Sequence, residues 1–303
     1  MAADIPALHG PLARRQALLL ALVLLLAATW PALGHAQPVA AREAMLEVPV
    51  VGLDGVIQMI RMRFCQPETG GPAPLVLVNH GLPRETADRV TYALAPCDHE
   101  AIRWFLARGF AVGQPLRRGY GISGGPWAEA FSCSMPEFTT MARESARDIA
   151  AALALARTLP GVDAARPAVV LGVSAGGWGA LALASQNPQG VGAMVNMAGG
   201  VGGRVQRVPD SNCRLDLLGE GASSFGSTAR VPMIWVYAAN DSFFRPSIAA
   251  AMHRLFVAGG GAAELHQLDP WGEDGHALFF GRRGSDVWGP LVEDFLRRHG
   301  AMP

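Results

Sequence analysis

Ser174 lies in Gly172-Val173-Ser174-Ala175-Gly176, directly after the apolar run Ala168–Val173 and directly before a helix-like stretch. A Gly-x-Ser-x-Gly turn between strand and helix presents a serine hydroxyl at a strand end, where it can attack a carbonyl carbon. The turn is tight, so the positions two residues either side of the serine must be small, and here both are glycine. The following helix would also aim its positive dipole end at charge developing on a substrate. The pattern alone fits a passive serine equally well, because a chain with 36 glycines produces such spacings by chance.

A serine hydroxyl needs a base to take its proton, and the base needs a partner to orient it. In hydrolases with this turn the order along the chain is serine, acid, histidine. Asp241 closes VPMIWVYAAND, the strongest apolar run after Ser174, and His276 follows AELHQL within Gly272-Glu273-Asp274-Gly275-His276. His253 falls inside a helical pattern, His266 is mid-strand and His299 is near the C-terminus, so all three suit structural or surface roles. Asp269 and Asp274 do not follow the preceding strand as the acid should. Asp216 or Glu220 could replace Asp241 if their segment folded inward. The tetrahedral intermediate needs hydrogen-bond donors for its oxyanion. The backbone N–H of Ala175 is one candidate, and that of Leu82, after His80-Gly81 at the end of PLVLVNHGLPR, is the other. His80 itself reads as a structural turn residue rather than a second base.

Positioning these groups requires strands that end beside one another. Met45–Val51 and Val56–Phe64 alternate around Leu53-Asp54-Gly55, which predicts an antiparallel hairpin. Apolar runs then follow at Leu75–Asn79, Phe110–Gln114, Ala168–Val173, Gly192–Met197, Pro232–Tyr237 and Glu264–Leu268. Helical patterns near His99–Arg108, Glu137–Thr158, Ala175–Gln186, Pro246–Ala258 and Val287–Arg298 separate or follow them. Strands apolar throughout and alternating with helices predict a parallel sheet covered on both faces. Ligands bind beyond the carboxyl ends of such strands, where Ser174, Asp241 and His276 all fall. Residues 199–230, rich in Gly, Ser, Arg and Pro, interrupt the rhythm and read as a lid-like excursion. No linker divides residues 37–303, which are expected to form one domain.

Composition removes several alternatives. Formal net charge is zero and there is no basic tract, which argues against a nucleic-acid partner. The chain has no lysine, so a Schiff-base enzyme, a Ser–Lys dyad and a P-loop are excluded. Its histidines are scattered without His-Glu-x-x-His spacing, and neither a metal nor an organic cofactor is expected. Arg14 and Arg15, the apolar stretch Ala17–Thr29 and the small-residue site Gly34-His35-Ala36 have the parts of a secretory signal peptide. Residues 1–36 are therefore expected to be removed on export to the periplasm or beyond, leaving no membrane segment. The apolar stretch is shorter than the roughly 20 residues a spanning helix needs. Cys65, Cys97, Cys133 and Cys213 form no Cys-x-x-Cys pair. In an exported chain their even number points to disulfides, with three pairings open.

Taken together, LVLVNHGLPR, PLRRGYGISGG, LGVSAGGWGALA, WVYAANDSFF and GEDGHALF resemble the α/β-hydrolase superfamily, within it the dienelactone-hydrolase and prolyl-oligopeptidase-like branch. The resemblance implies an α/β-hydrolase fold, with a mostly parallel central sheet, an N-terminal antiparallel hairpin and helices on both faces. It implies Ser174 as nucleophile, His276 as base, Asp241 as its orienting acid, and Leu82 and Ala175 as oxyanion donors. It also places Arg118 and Tyr120 beside the cleft, although holding loops together and packing are equally open roles for them. It sets the loops carrying Cys133 and Cys213 above the sheet, which favours that bridge and leaves the pairing of Cys65 and Cys97 open. True dienelactone hydrolases use a cysteine nucleophile, and the serine here departs from that reaction. The activity implied is hydrolysis of a small-molecule carboxylic ester, with a serine peptidase of the prolyl-oligopeptidase type as the alternative. A non-catalytic binding protein on the same fold is the reading from a different class. Trp127, Phe131, Phe225, Phe243 and Trp271 are candidates for a pocket wall, with core packing as their other role.

Overall fold

The computed structural model describes residues 41–67, 70–130, 132–134 and 136–303, so the signal peptide expected over residues 1–36 lies outside the described residues. Eight strands form one sheet: β1 (Ala41–Val51), β2 (Ile57–Pro67), β3 (Leu75–Asn79), β4 (Ala111–Leu116), β5 (Ala168–Val173), β6 (Val191–Met197), β7 (Met233–Ala238) and β8 (Ala263–Leu268). Their spatial order is β1-β2-β4-β3-β5-β6-β7-β8. β1 and β2 are the expected antiparallel hairpin, in register from Ala41 opposite Pro67 to Val51 opposite Ile57. β2 runs antiparallel to β4, and every later pairing is parallel.

The unbroken apolar runs reflect burial on both faces. Along β5, Ala168 and Val170 face one hydrophobic cluster while Val169, Leu171 and Val173 face another. The first cluster packs under α2 (Phe138–Ala156), α3 (Ala175–Ala184), α4 (Leu215–Thr228) and α5 (Pro246–Ala258). The second packs under α1 (Glu100–Leu106) and α6 (Ser285–Arg298). All ten residues of α3 are buried, and its sequence AGGWGALALA accordingly has no polar face. Its Trp178 indole donates to the Phe138 carbonyl at 2.8 Å, which ties α3 to α2.

The segment 199–230 is not one excursion. Its second half is α4, the ordinary crossover helix between β6 and β7, packed against α5. Glycine and serine lower its intrinsic helix propensity and mask the pattern, but Leu218, Ala222 and Phe225 are buried at helical spacing. Only 199–214 is irregular, and Cys213 near its end is bonded to Cys133. The second disulfide joins Cys65 on β2 to Cys97, just before α1. Among the described residues, no helix is long and apolar enough to cross a membrane.

Candidate active site

Ser174 connects β5 to α3 with φ 54° and ψ −122°, a left-handed conformation that a non-glycine residue adopts only when its surroundings enforce it. They do so here. The Ser174 N–H donates to the Met197 carbonyl at 3.0 Å, and the Ser174 carbonyl accepts from Gly200 at 3.1 Å. A Cβ on Gly172 would lie 2.2 Å from the Gly176 carbonyl oxygen, and one on Gly176 would lie 2.4 Å from that of His80. The two glycines flanking the serine are thus required by close backbone approach as well as by the turn.

His276 Nε2 lies 3.0 Å from Ser174 Oγ, and its Nδ1 lies 3.0 Å from both carboxylate oxygens of Asp241. Asp241 is 1% exposed, and its Oδ1 also accepts from the N–H groups of Phe243 and Phe244 at 2.8 and 2.9 Å. Those bonds fix the carboxylate in the turn after β7, so that it holds a proton on His276 Nδ1 and leaves Nε2 as the acceptor facing the hydroxyl. The imidazole stacks on Phe243, with ring centroids 4.0 Å apart. Asp274 positions the segment beneath it by accepting from the His276 N–H at 3.0 Å and from the Ser242 hydroxyl at 2.6 Å. Burial would raise the Asp274 carboxyl, but the bonds from Ser242 and His276 hold it below its ordinary value. This line of groups can carry a proton from Oγ to Nε2 and return it.

Leu82 follows the end of β3 and Gly81, beside the serine. Gly81 comes so close that a Cβ there would be 2.8 Å from the Ser174 Cβ. Among the described residues, neither the Leu82 N–H nor the Ala175 N–H has a hydrogen-bond partner. Ser174, His276 and Leu82 line one cavity of about 540 Å³, walled in part by Trp127, Phe243 and Arg204. Gly200–Arg204 and Arg207 also line it, so the irregular half of the predicted excursion borders the serine.

Several expected positions differ. Arg118 and Tyr120 do not line the cavity; both are buried, 3% and 0% exposed. Arg118 follows β4 and turns toward α2, where it bonds to Asp148 at 2.6 Å and Glu144 at 2.7 Å. The Tyr120 hydroxyl donates to Glu129 at 2.8 Å. Their charges and hydroxyl are consumed inside the protein, which is the loop-holding role rather than the cleft role. Asp216 pairs with Arg214 on the surface, and Glu220 is exposed. His253 bonds to the Ala263 carbonyl and His266 approaches Glu264, both away from Ser174. Of the aromatic candidates, Trp127 and Phe243 line the cavity and Phe225 packs against Trp178, while Phe131 lies outside the described residues. The stacking of Phe243 on His276 and the buried partners Arg117 and Glu129 were not anticipated. Phe243 two residues after the predicted acid was the one local cue.

The strand order, the antiparallel start and the serine at the sheet's central strand end define an α/β-hydrolase fold. Solved structures with a similar fold include an esterase from Pyrococcus furiosus, 14% identical with a TM-score of 0.59, covering 88% of this chain and 96% of that one. Acetyl xylan esterase 1 from a Thermoanaerobacterium species is 17% identical with a TM-score of 0.52, covering 86% and 87%. Acylaminoacyl peptidase from Pyrococcus horikoshii is 13% identical with a TM-score of 0.61, covering 86% of this chain and 42% of that one. No family model matches the chain, and no curated protein matches it in sequence.

Proposed function

We propose that this chain is an exported serine hydrolase that cleaves a small carboxylic ester through an acyl-enzyme. The observation that carries the reading is the hydrogen-bonded line Ser174–His276–Asp241 at the floor of a cavity. His276 takes the hydroxyl proton as Oγ attacks the ester carbonyl, and the negative charge develops on the carbonyl oxygen between the Leu82 and Ala175 N–H groups. The C–O bond to the alcohol breaks, and His276 delivers its proton to the departing oxygen. Water then attacks the acyl-serine with His276 again as base, which releases the acid and restores the hydroxyl. The charged start, short apolar run and small-residue site of residues 1–36 support export, as do two disulfides.

The peptidase reading uses the same groups, and a direct comparison separates the two. Short-chain p-nitrophenyl esters and aminoacyl p-nitroanilides are assayed with the wild type and Ser174→Ala. Ester turnover that falls by about 10⁴ or more in the variant is the expected result. Anilide turnover without ester turnover would replace the esterase reading with the peptidase one.

A further inference from the structure

The Gly81–Leu82 peptide is trans, so its C=O and N–H point in opposite directions. The Gly81 carbonyl oxygen lies 2.8 Å from Nδ1 of His80, which is buried. The Leu82 N–H is therefore directed away from His80, and Leu82 itself lines the cavity with Ser174. The ring's other nitrogen, Nε2, accepts from the Arg117 N–H at 3.2 Å. A neutral imidazole with its proton on Nδ1 is the state that satisfies both contacts. The ring packs in a cluster with Tyr92 and Tyr120, each with its centroid 4.7 Å away.

The support continues inward. Arg117 Nη1 donates to the His80 carbonyl at 2.7 Å, while Nε and Nη2 form a forked pair with Glu129. Arg117 is 0% and Glu129 2% exposed. Burial would raise the Glu129 carboxyl, but the charge and hydrogen bonds of Arg117 hold it below its ordinary value. A buried ion pair is a poor route to stability alone, because apolar residues of similar volume often serve as well or better. This pair and His80 instead converge on the two carbonyls, of His80 and Gly81, that set the orientation of the peptides before Leu82.

We propose that His80, clamped by Arg117 and Glu129, is a positioning residue that keeps the Gly81–Leu82 peptide turned so that the Leu82 N–H faces the developing oxyanion. The inference rests on the serine-hydrolase reading above. Burial and the charge of Arg117 push the imidazole down to about 3, so the ring stays neutral and the Nδ1 donor persists at neutral pH.

The test compares His80→Leu, His80→Asn and Glu129→Gln with the wild type. The readouts are p-nitrophenyl ester kinetics and inhibition by a trifluoromethyl ketone, whose tetrahedral adduct carries the same oxyanion. Removing one oxyanion donor costs about 10²–10³ in kcat, so His80→Leu is expected to lose about 100-fold in kcat with KM nearly unchanged. The ketone's inhibition constant rises by the same factor. Asn can present an amide N–H where Nδ1 stands, so His80→Asn recovers about tenfold or more of that loss. Glu129→Gln loses kcat and ketone affinity in parallel, by about tenfold. If His80→Leu fails to fold, Glu129→Gln carries the test, and a folded Glu129→Gln protein that keeps both kcat and ketone affinity within about threefold would overturn the proposal. A folded His80→Leu that keeps kcat within about threefold would overturn the proposal, as would a loss of kcat without loss of ketone affinity. A wild type that neither cleaves esters nor binds the ketone would overturn the serine-hydrolase reading itself.

Discussion

Acid should destabilise this protein through His80 as pH falls below about 6.5. The ring is buried, and burial with the adjacent Arg117 charge lowers its pKa from 6.5 to about 3. The unfolded chain therefore binds a proton that the folded protein refuses, and stability rises with pH across that window. The contribution is complete above about pH 6.5 and is lost as pH falls toward 3, at about 1.4 kcal/mol per unit. Over the full window it amounts to about 5 kcal/mol, and at pH 5 about 2 kcal/mol has gone. The assay is urea unfolding followed by tryptophan fluorescence at pH 7.5, 6 and 5, with disulfides intact, for the wild type and His80→Asn. Asn cannot titrate, so the wild type should lose about 2 kcal/mol more than the variant between pH 7.5 and 5. His253, half-buried and also lowered by burial, titrates in both proteins and cancels in the difference. Glu129 and Asp274, which Arg117 and the Ser242 and His276 bonds hold low, lose their contributions at lower pH. Parallel curves for the two proteins would refute a neutral buried His80.

Two further perturbations separate catalysis from stability. Gly81→Ala places a methyl group 2.8 Å from the Ser174 Cβ, and it is expected to cut ester kcat/KM by about 10²-fold or more while leaving the far-ultraviolet spectrum unchanged. Replacing both Cys133 and Cys213 with Ser releases a loop closed over a sequence separation of 80, and the lost chain constraint is worth about 4 kcal/mol. A lowered urea midpoint checks it, and KM for esters should rise as well because the freed segment 199–214 borders the cavity.

The serine, the acid and the histidine were legible because each follows an apolar run at a predicted strand end, and strand ends in a parallel sheet are neighbours in space. The sheet was legible for the same reason: burial on both faces leaves runs with no polar interruption. Arg118 and Tyr120 illustrate what pattern cannot settle. Adjacent arginines leave β4 in opposite directions, Arg117 toward His80 and Glu129, Arg118 toward Glu144 and Asp148. That direction depends on acids 12 to 30 residues further along the chain, which no local spacing encodes. Helix α4 was hidden for a related reason, since packing against α5 overrides the low propensity of its glycines and serines.

The central claim is that Ser174 is a nucleophile activated by His276. The most direct measurement is the reaction of the intact protein with a fluorophosphonate, followed by mapping of the modified residue by mass spectrometry. One adduct per chain on Ser174 is predicted, formed about 10³-fold or more slower in His276→Ala. No adduct, or one on a residue other than Ser174, would contradict the account.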